Sequence, residues 1–215
     1  MRVPRNITAR VFLFVTFAAG ASCRTAVSPA PILQPGAPGG TTRTIDTAHA
    51  TDLSGVHFTD ADVRFMQGMI GHHAQAVEMV ALIPDRTSRD DMRLLGLRID
   101  VSQTDEIDMM EHWLQARGVA VPDAHAHMHD GGLMPGMLSA EEMQHLGASH
   151  GVEFDRLFLE GMIKHHQGAL TMVEQLFSSP GAAQEAEIFA FASDVDADQR
   201  MEIGRMGTLL QELQR

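Results

Sequence analysis

Phe65-Met66-Gln67-Gly68-Met69-Ile70-Gly71-His72-His73 returns as Phe158-Leu159-Glu160-Gly161-Met162-Ile163-Lys164-His165-His166, one motif written twice, 93 positions apart. The match continues through Ala76 and Ala169, Met79 and Met172, and Val80 and Val173. A second pair is linked to it: Gln103, Glu106, Ile107 and Met110 recur as Gln199, Glu202, Ile203 and Met206, 96 positions on. Two linked motifs in the same order indicate a duplicated unit rather than chance, with a slightly longer connection in the second copy.

Each copy reads as two helices. Positions 66, 69, 70, 73, 76, 77 and 80 are apolar or soft, at the 3-and-4 spacing of a helix face. Thr59 predicts an N-cap with Asp62 in the first turn, and Pro84 a stop. Ser88 is the expected cap of a second helix running through Leu94, Leu97, Val101, Ile107, Met110 and Leu114 to Gly118. In the second copy Ser179-Pro180 supplies an N-cap followed by a proline at the first helical position. No convincing period-2 run appears. The expected class is all-α: two repeated antiparallel helical hairpins packed as a four-helix bundle. Between the copies, residues 119 to 138 look irregular, and the capping box Ser139-Ala140-Glu141-Glu142 predicts a short helix over 140 to 148.

The chain of 215 residues leaves room for one ordinary domain and a tail. Its 44 % hydrophobic and 20 % charged residues suit a soluble core-forming chain. One cysteine excludes an internal disulfide framework and any zinc site with two thiolates of this chain. A net charge of −12 argues against nucleic acid as a partner, because phosphate demands a basic footprint. The unusual surplus is 15 Met and 12 His.

Arg2, Arg5 and Arg10, the apolar run Val11 to Ala19 and the small residues Gly20, Ala21 and Ser22 follow the order of a secretory signal peptide. The run is too short for the ~20 residues of a membrane span. Cys23 directly follows, where bacterial lipoprotein signals carry the lipidated cysteine, although Gly20 stands where Leu is usual. Residues 1–22 therefore read as a signal and 23–56, with Pro29, Pro31, Pro35 and Pro38, as a disordered tether. Residues 57–215 form the domain: first copy 57–118, His/Met-rich connector 119–150, second copy 151–215. The expected location is the periplasm or cell envelope, with membrane contact only through a lipid on Cys23.

Met69, His72, Ala76 and Met79 share one helical stripe, and Met162, His165, Ala169 and Met172 repeat it. Methionine at such spacing is ordinarily gap-filling core. Two adjacent histidines repeated in both halves exceed what packing needs, so His72, His73, His165 and His166 are candidate metal ligands. Glu106 and Glu202 read better as groups orienting a histidine than as ligands. In the connector, His125, His127 and His129 alternate beside Met128, Met134 and Met137; a solvated loop that gathers adventitious metal is the bland alternative. Thioether selects Cu(I), whereas imidazole accepts Cu(I), Cu(II) or Zn. Met with His and no usable thiol favours copper, as Cu(I).

The blocks Phe154-Asp155-Arg156-Leu157-Phe158-Leu159-Glu160-Gly161-Met162-Ile163-Lys164-His165-His166-Gln167-Gly168-Ala169 and Met134-Pro135-Gly136-Met137 resemble the bacterial family called domain of unknown function 305, over roughly residues 58 to 214. The resemblance implies a ferritin-like four-helix bundle and, from some exported members, copper binding through Met and His. Carried over residue by residue, it lands on Met69, His72, His73, Met162, His165 and His166. Gly71 against Lys164, and Glu78 against Thr171, imply that the two halves need not bind alike.

The leading function is thus an exported copper-binding or copper-buffering protein without turnover. One alternative is a metal-free interaction module of the envelope, since a fold does not dictate a function. The other is a ferritin-like di-iron or di-manganese oxidase, which needs two Glu-x-x-His motifs. The chain offers one, Glu142 to His145, outside the duplicated helices, so no catalytic set is complete.

Overall fold

Thr59 does what its sequence context predicts. In the computed structural model, which describes residues 30–34, 42–50, 55–123 and 133–214, it caps helix α2 (Asp60–Val80). The Asp62 amide donates to Thr59 Oγ1 at 3.3 Å and the Thr59 amide donates to Asp62 Oδ2 at 2.7 Å. The buried Asp62 carboxylate also accepts the Ala183 amide at 2.7 Å, fastening the start of α2 to a turn 121 residues away. A second capping box, Ser139 with Glu142, starts α5 (Ala140–Ala148), again as the sequence predicts.

Three expected boundaries move. Helix α2 ends at Val80, and Pro84 sits inside a single turn, α3 (Ile83–Arg86), where early helical positions tolerate the missing N–H. Helix α4 (Asp90–Ala116) is preceded by Arg89 rather than Ser88, and the Asp91 carboxylate takes the Met92 amide at 2.8 Å. Ser179 closes α6 (Gly151–Ser178) instead of opening α7 (Ala186–Leu213); its hydroxyl donates back to the Gln175 carbonyl at 2.8 Å. Gly118, with φ of 66°, does end α4 in the left-handed conformation.

The inward face of α4 also departs from expectation. Leu94, Leu97 and Val101 are 63, 61 and 54 % exposed, while Met92, Leu95, Ile99, Gln103, Glu106, Met110 and Trp113 point inward. Both sets have helical spacing, so apolar pattern alone does not choose between them. The buried set is the one in phase with Gln103 and Glu106.

The described residues fall into two units, divided after Asp52. In the first, β1 (Ile32–Gln34) pairs antiparallel with β2 (Arg43–Ile45), Ile32 opposite Ile45, followed by the turn of helix α1 (Thr47–Ala50). The stretch expected as a disordered tether therefore carries two short paired strands and one helical turn among its described residues; strands of three residues leave no period-2 pattern to read. The second unit is an all-α four-helix bundle in which α2 packs on α4, α6 on α7, and α2 on α6. None of the described helices is long and apolar enough to cross a membrane.

The bundle has two apolar clusters. One holds Met69, Ile70, Met110, Trp113, Ala169, Met172 and Val195; the other holds Ala76, Met79, Ile99, Phe158, Met162 and Met206. On every long helix the chain passes from one cluster to the other through buried polar residues: His72 and His73, Gln103 and Glu106, His165 and His166, Gln199 and Glu202. A polar layer therefore crosses the middle of the core.

Candidate metal centre

Helical spacing brings each His–His pair into this layer, and the two middle helices set them against each other. The His72 and His165 rings lie with centroids 3.9 Å apart and planes inclined by 36°. The other member of each pair turns to its own hairpin. His73 Nε2 donates to Glu106 Oε2 at 2.5 Å, and His166 Nε2 donates to Glu202 Oε2 at 2.7 Å. A carboxylate that accepts from Nε2 leaves the lone pair on Nδ1 in the neutral ring. Neither His73 Nδ1 nor His166 Nδ1 has a hydrogen-bond partner among the described residues. Each glutamate is thus hydrogen-bonded to a histidine of its own hairpin, an arrangement that serves equally as a buried structural pair.

His72 and His165 differ. His72 Nε2 donates to the Pro135 carbonyl at 2.9 Å. His165 is only 1 % exposed, and neither of its ring nitrogens makes a well-formed hydrogen bond. Burial holds its pKa well below the usual histidine range, helped by His72, His166 and His73, with the His72 backbone pulling weakly the other way. The ring is neutral, with a lone pair on one nitrogen. In the same layer, both amide atoms of buried Gln103 and the amide oxygen of Gln199 lack hydrogen-bond partners among the described residues.

The connector closes over this layer through a short strap, Met134 to Leu138. The Gln75 amide clamps its end, accepting from the Leu138 amide at 2.8 Å and donating to the Leu138 carbonyl at 2.9 Å. Ninety-three positions later Gly168 does the opposite job: a Cβ there would lie 1.8 Å from the Pro135 carbonyl oxygen. Gly136 has φ of 76°, and a Cβ on it would stand 2.4 Å from the Lys164 carbonyl oxygen. The strap thus sits on bare backbone of α6 and is held by a side chain of α2. Gln75 and Gly168 are missed by motif reading; their unlikeness at matched positions was the available signal.

Of the thioethers, Met69 and Met172 lie in one apolar cluster and Met79 and Met162 in the other, on either side of the histidines. Met137 is buried and Met134 half-buried; a Cβ on Gly68 would meet the Met134 sulfur at 3.5 Å and the Met172 methyl carbon at 3.4 Å. His125, His127, Met128, His129 and Cys23 lie outside the described residues. Glu142, the acidic member of the lone Glu-x-x-His, serves its capping box and an ion pair with Lys164 at 2.7 Å. Among the described residues no group of three or more His, Cys, Asp or Glu converges as a metal cage. What the layer offers instead is neutral imidazole flanked by thioether, a donor set suited to a soft cation of low coordination number.

No curated protein sequence matches the chain significantly. Solved structures do. A fragment from Deinococcus radiodurans is 31 % identical, with a TM-score of 0.63 over 72 % of this chain and 98 % of that one. A protein from Streptomyces coelicolor described as a candidate secreted protein is 30 % identical, with a TM-score of 0.63 over 71 % of this chain and 93 % of that one. CopM in its Cu(II)-bound form is 27 % identical, with a TM-score of 0.59 over 70 % of this chain and 96 % of that one. CopM has also been solved with Cu(I) and with Ag. The model of the family named domain of unknown function 305 matches residues 62–210, and the chain belongs to that family.

Proposed function

We propose that the protein is an exported, non-catalytic copper-binding protein that buffers the metal as Cu(I) on histidine and methionine side chains. The observation that carries the reading is His165: a buried, neutral imidazole without a well-formed hydrogen bond at either nitrogen, in a layer bordered by methionine. Leaving such a group unmet costs about 1–3 kcal/mol, a cost that a bound soft ion would offset. The likeness to CopM, solved with Cu(I) and with Cu(II), supports copper. Cu(II) or Zn on the imidazoles alone is the lesser possibility chemically, since thioether prefers Cu(I).

The proposed donors in the bundle are Met69, His72, His73, Met79, Met162, His165, His166 and Met172. His125, His127, Met128, His129, Met134 and Met137 of the connector form a second group. For the location, the basic-apolar-small order of residues 1–22 supports export to the periplasm or envelope, and Cys23 supports a lipid anchor.

Titration of the protein with Cu(I) against a competing chelator tests the reading. Binding well below micromolar Kd is expected (more favourable than about −8 kcal/mol), with fewer ions held after His165→Leu. Affinity no tighter than micromolar, or an unchanged number of ions in that variant, would sink it.

A further inference from the structure

Away from the histidine layer, α4 and α7 border a cleft of about 590 Å³ lined by Met66, Asp108, Met109, His112, Trp113 and Asp194, among others. Met109 and His112 are one helical step apart and exposed, so both reach the cleft from the α4 face. Met66 lines the cleft from α2 and is itself fully buried, part of its floor. The tautomer of His112 is set by its own helix: Nδ1 lies 2.6 Å from the Asp108 carbonyl oxygen, which only accepts, so Nδ1 carries the proton. In the neutral ring Nε2 is then left with its lone pair.

We propose that this cleft is a second soft-metal site, binding Cu(I) or Ag(I) through the thioethers of Met66 and Met109 and the Nε2 of His112, next to the indole of Trp113.

Three observations carry it. Thioether and imidazole together select a soft monovalent ion over hard cations. The rim is acidic through Asp108 and Asp194, which draws cations in; the nearby guanidinium of Arg117, stacked on Trp113 at 4.1 Å, is already met by Glu185 at 2.7 Å and Glu187 at 2.8 Å. Finally, the fold does not require these side chains. At the matched positions of the second copy stand Leu159 for Met66, Arg205 for Met109, Thr208 for His112 and Leu209 for Trp113. The corresponding helices of the second copy, α6 and α7, pack with no soft donor at any of these four places.

The site rests on the same soft-metal chemistry as the copper reading above, yet on none of its residues, so the two fail separately. Trp113 is the only tryptophan of the chain, which makes its fluorescence a local reporter. The full chain is titrated with Ag(I), and with Cu(I) held in a chelator, following Trp113 emission and, by equilibrium dialysis, the number of ions bound. Saturable quenching is expected in the natural protein. The doubly substituted Met109→Leu, His112→Ala protein, altered only at exposed positions, is expected to lose the quenching and about one bound ion. His165→Leu is expected to keep the quenching. Absence of saturable quenching in the natural protein overturns the site, as does an unaltered titration in the double variant. Quenching lost in His165→Leu but kept in the double variant also overturns it, because the indole would then be reporting on the core. Failure of the core reading has a different signature: His165→Leu binds as many ions as the natural protein while the cleft variant binds fewer.

Discussion

The hairpin α2–α4 and the hairpin α6–α7 carry the same His–His and Gln/Glu pairs, yet they treat them differently. Both tie one histidine to a glutamate of their own second helix, His73 to Glu106 and His166 to Glu202. Beyond that they diverge. Gln75 grips the strap where Gly168 merely makes room for it. His72 is anchored by the Pro135 carbonyl, and His165 has no such anchor. Arg98 approaches the Glu202 carboxylate at 3.7 Å from a half-exposed position. Asp62 caps α2 and holds the Ala183 amide, whereas Asp155 is buried with one oxygen unmet and its pKa raised by that burial. One sequence pattern written twice is therefore made unequal by what packs on each copy: the connector at Gln75, Gly168 and His72, and other helices and turns at Glu202 and Asp62. The lesson is that duplicated residues share local structure, but their chemistry depends on what is packed against them.

The comparison breaks most readily at the paired glutamates. Glu106→Ala and Glu202→Ala each leave a buried imidazole without its partner, and each should cost ~1.5–3 kcal/mol in urea unfolding. The two costs should agree within ~1 kcal/mol, because Arg98 is exposed enough for its contact to count for little. A loss below ~1 kcal/mol in either would show that the pair is not structural.

Exchanging the strap residues sharpens the contrast next. Gly168→Gln places a side chain where the Pro135 carbonyl lies, and should destabilise by ~2–3 kcal/mol through overpacking. Gln75→Gly strands the Leu138 amide and carbonyl, for ~1–3 kcal/mol. Hydrogen exchange at Leu138 should accelerate in both variants. If it is unchanged in Gly168→Gln, the strap is not seated on α6 as described.

The smallest effect is in pH. His165 has its folded pKa depressed, by burial first, below the ordinary 6.5. Above about that value neither state takes a proton there; below it the unfolded chain does and the native ring refuses. Stability from this group is thus present at neutral pH and lost on acidification from about 6.5 toward the folded value, with a slope of at most ~1.4 kcal/mol per pH unit. His165→Leu should flatten that part of a Tm against pH curve. An equally steep curve in the variant would mean that another buried histidine carries it.

Much of this was legible in the residues. The duplicated Phe-to-His-His motif and its 3-and-4 spacing determined the all-α class, the two long hairpins and the inward placement of all four histidines. The two capping boxes, Thr59 with Asp62 and Ser139 with Glu142, fixed their helix starts because both partners lie within one turn. Local signals without such a partner misled. Ser88, Ser179 and Pro84 carry the right residue types, but whether they start or stop a helix depends on where competing donors and acceptors stand, as the Asp62–Ala183 contact shows. The outward turn of Leu94, Leu97 and Val101 was illegible for a related reason: apolar periodicity gives a face, and only packing decides which face is covered.

The same division holds at the site. The histidines and methionines, their sharing of a stripe, and the acidic partners at matched positions were written in the sequence, since helical geometry converts spacing into a common face. Only the tertiary structure brought His72 onto His165, because that contact joins helices whose residues are far apart in the chain and is set by how α2 crosses α6. Likewise, only packing divided Gln75 from Gly168, since a hydrogen-bonding side chain and a missing Cβ become complementary when one strap must lie between them.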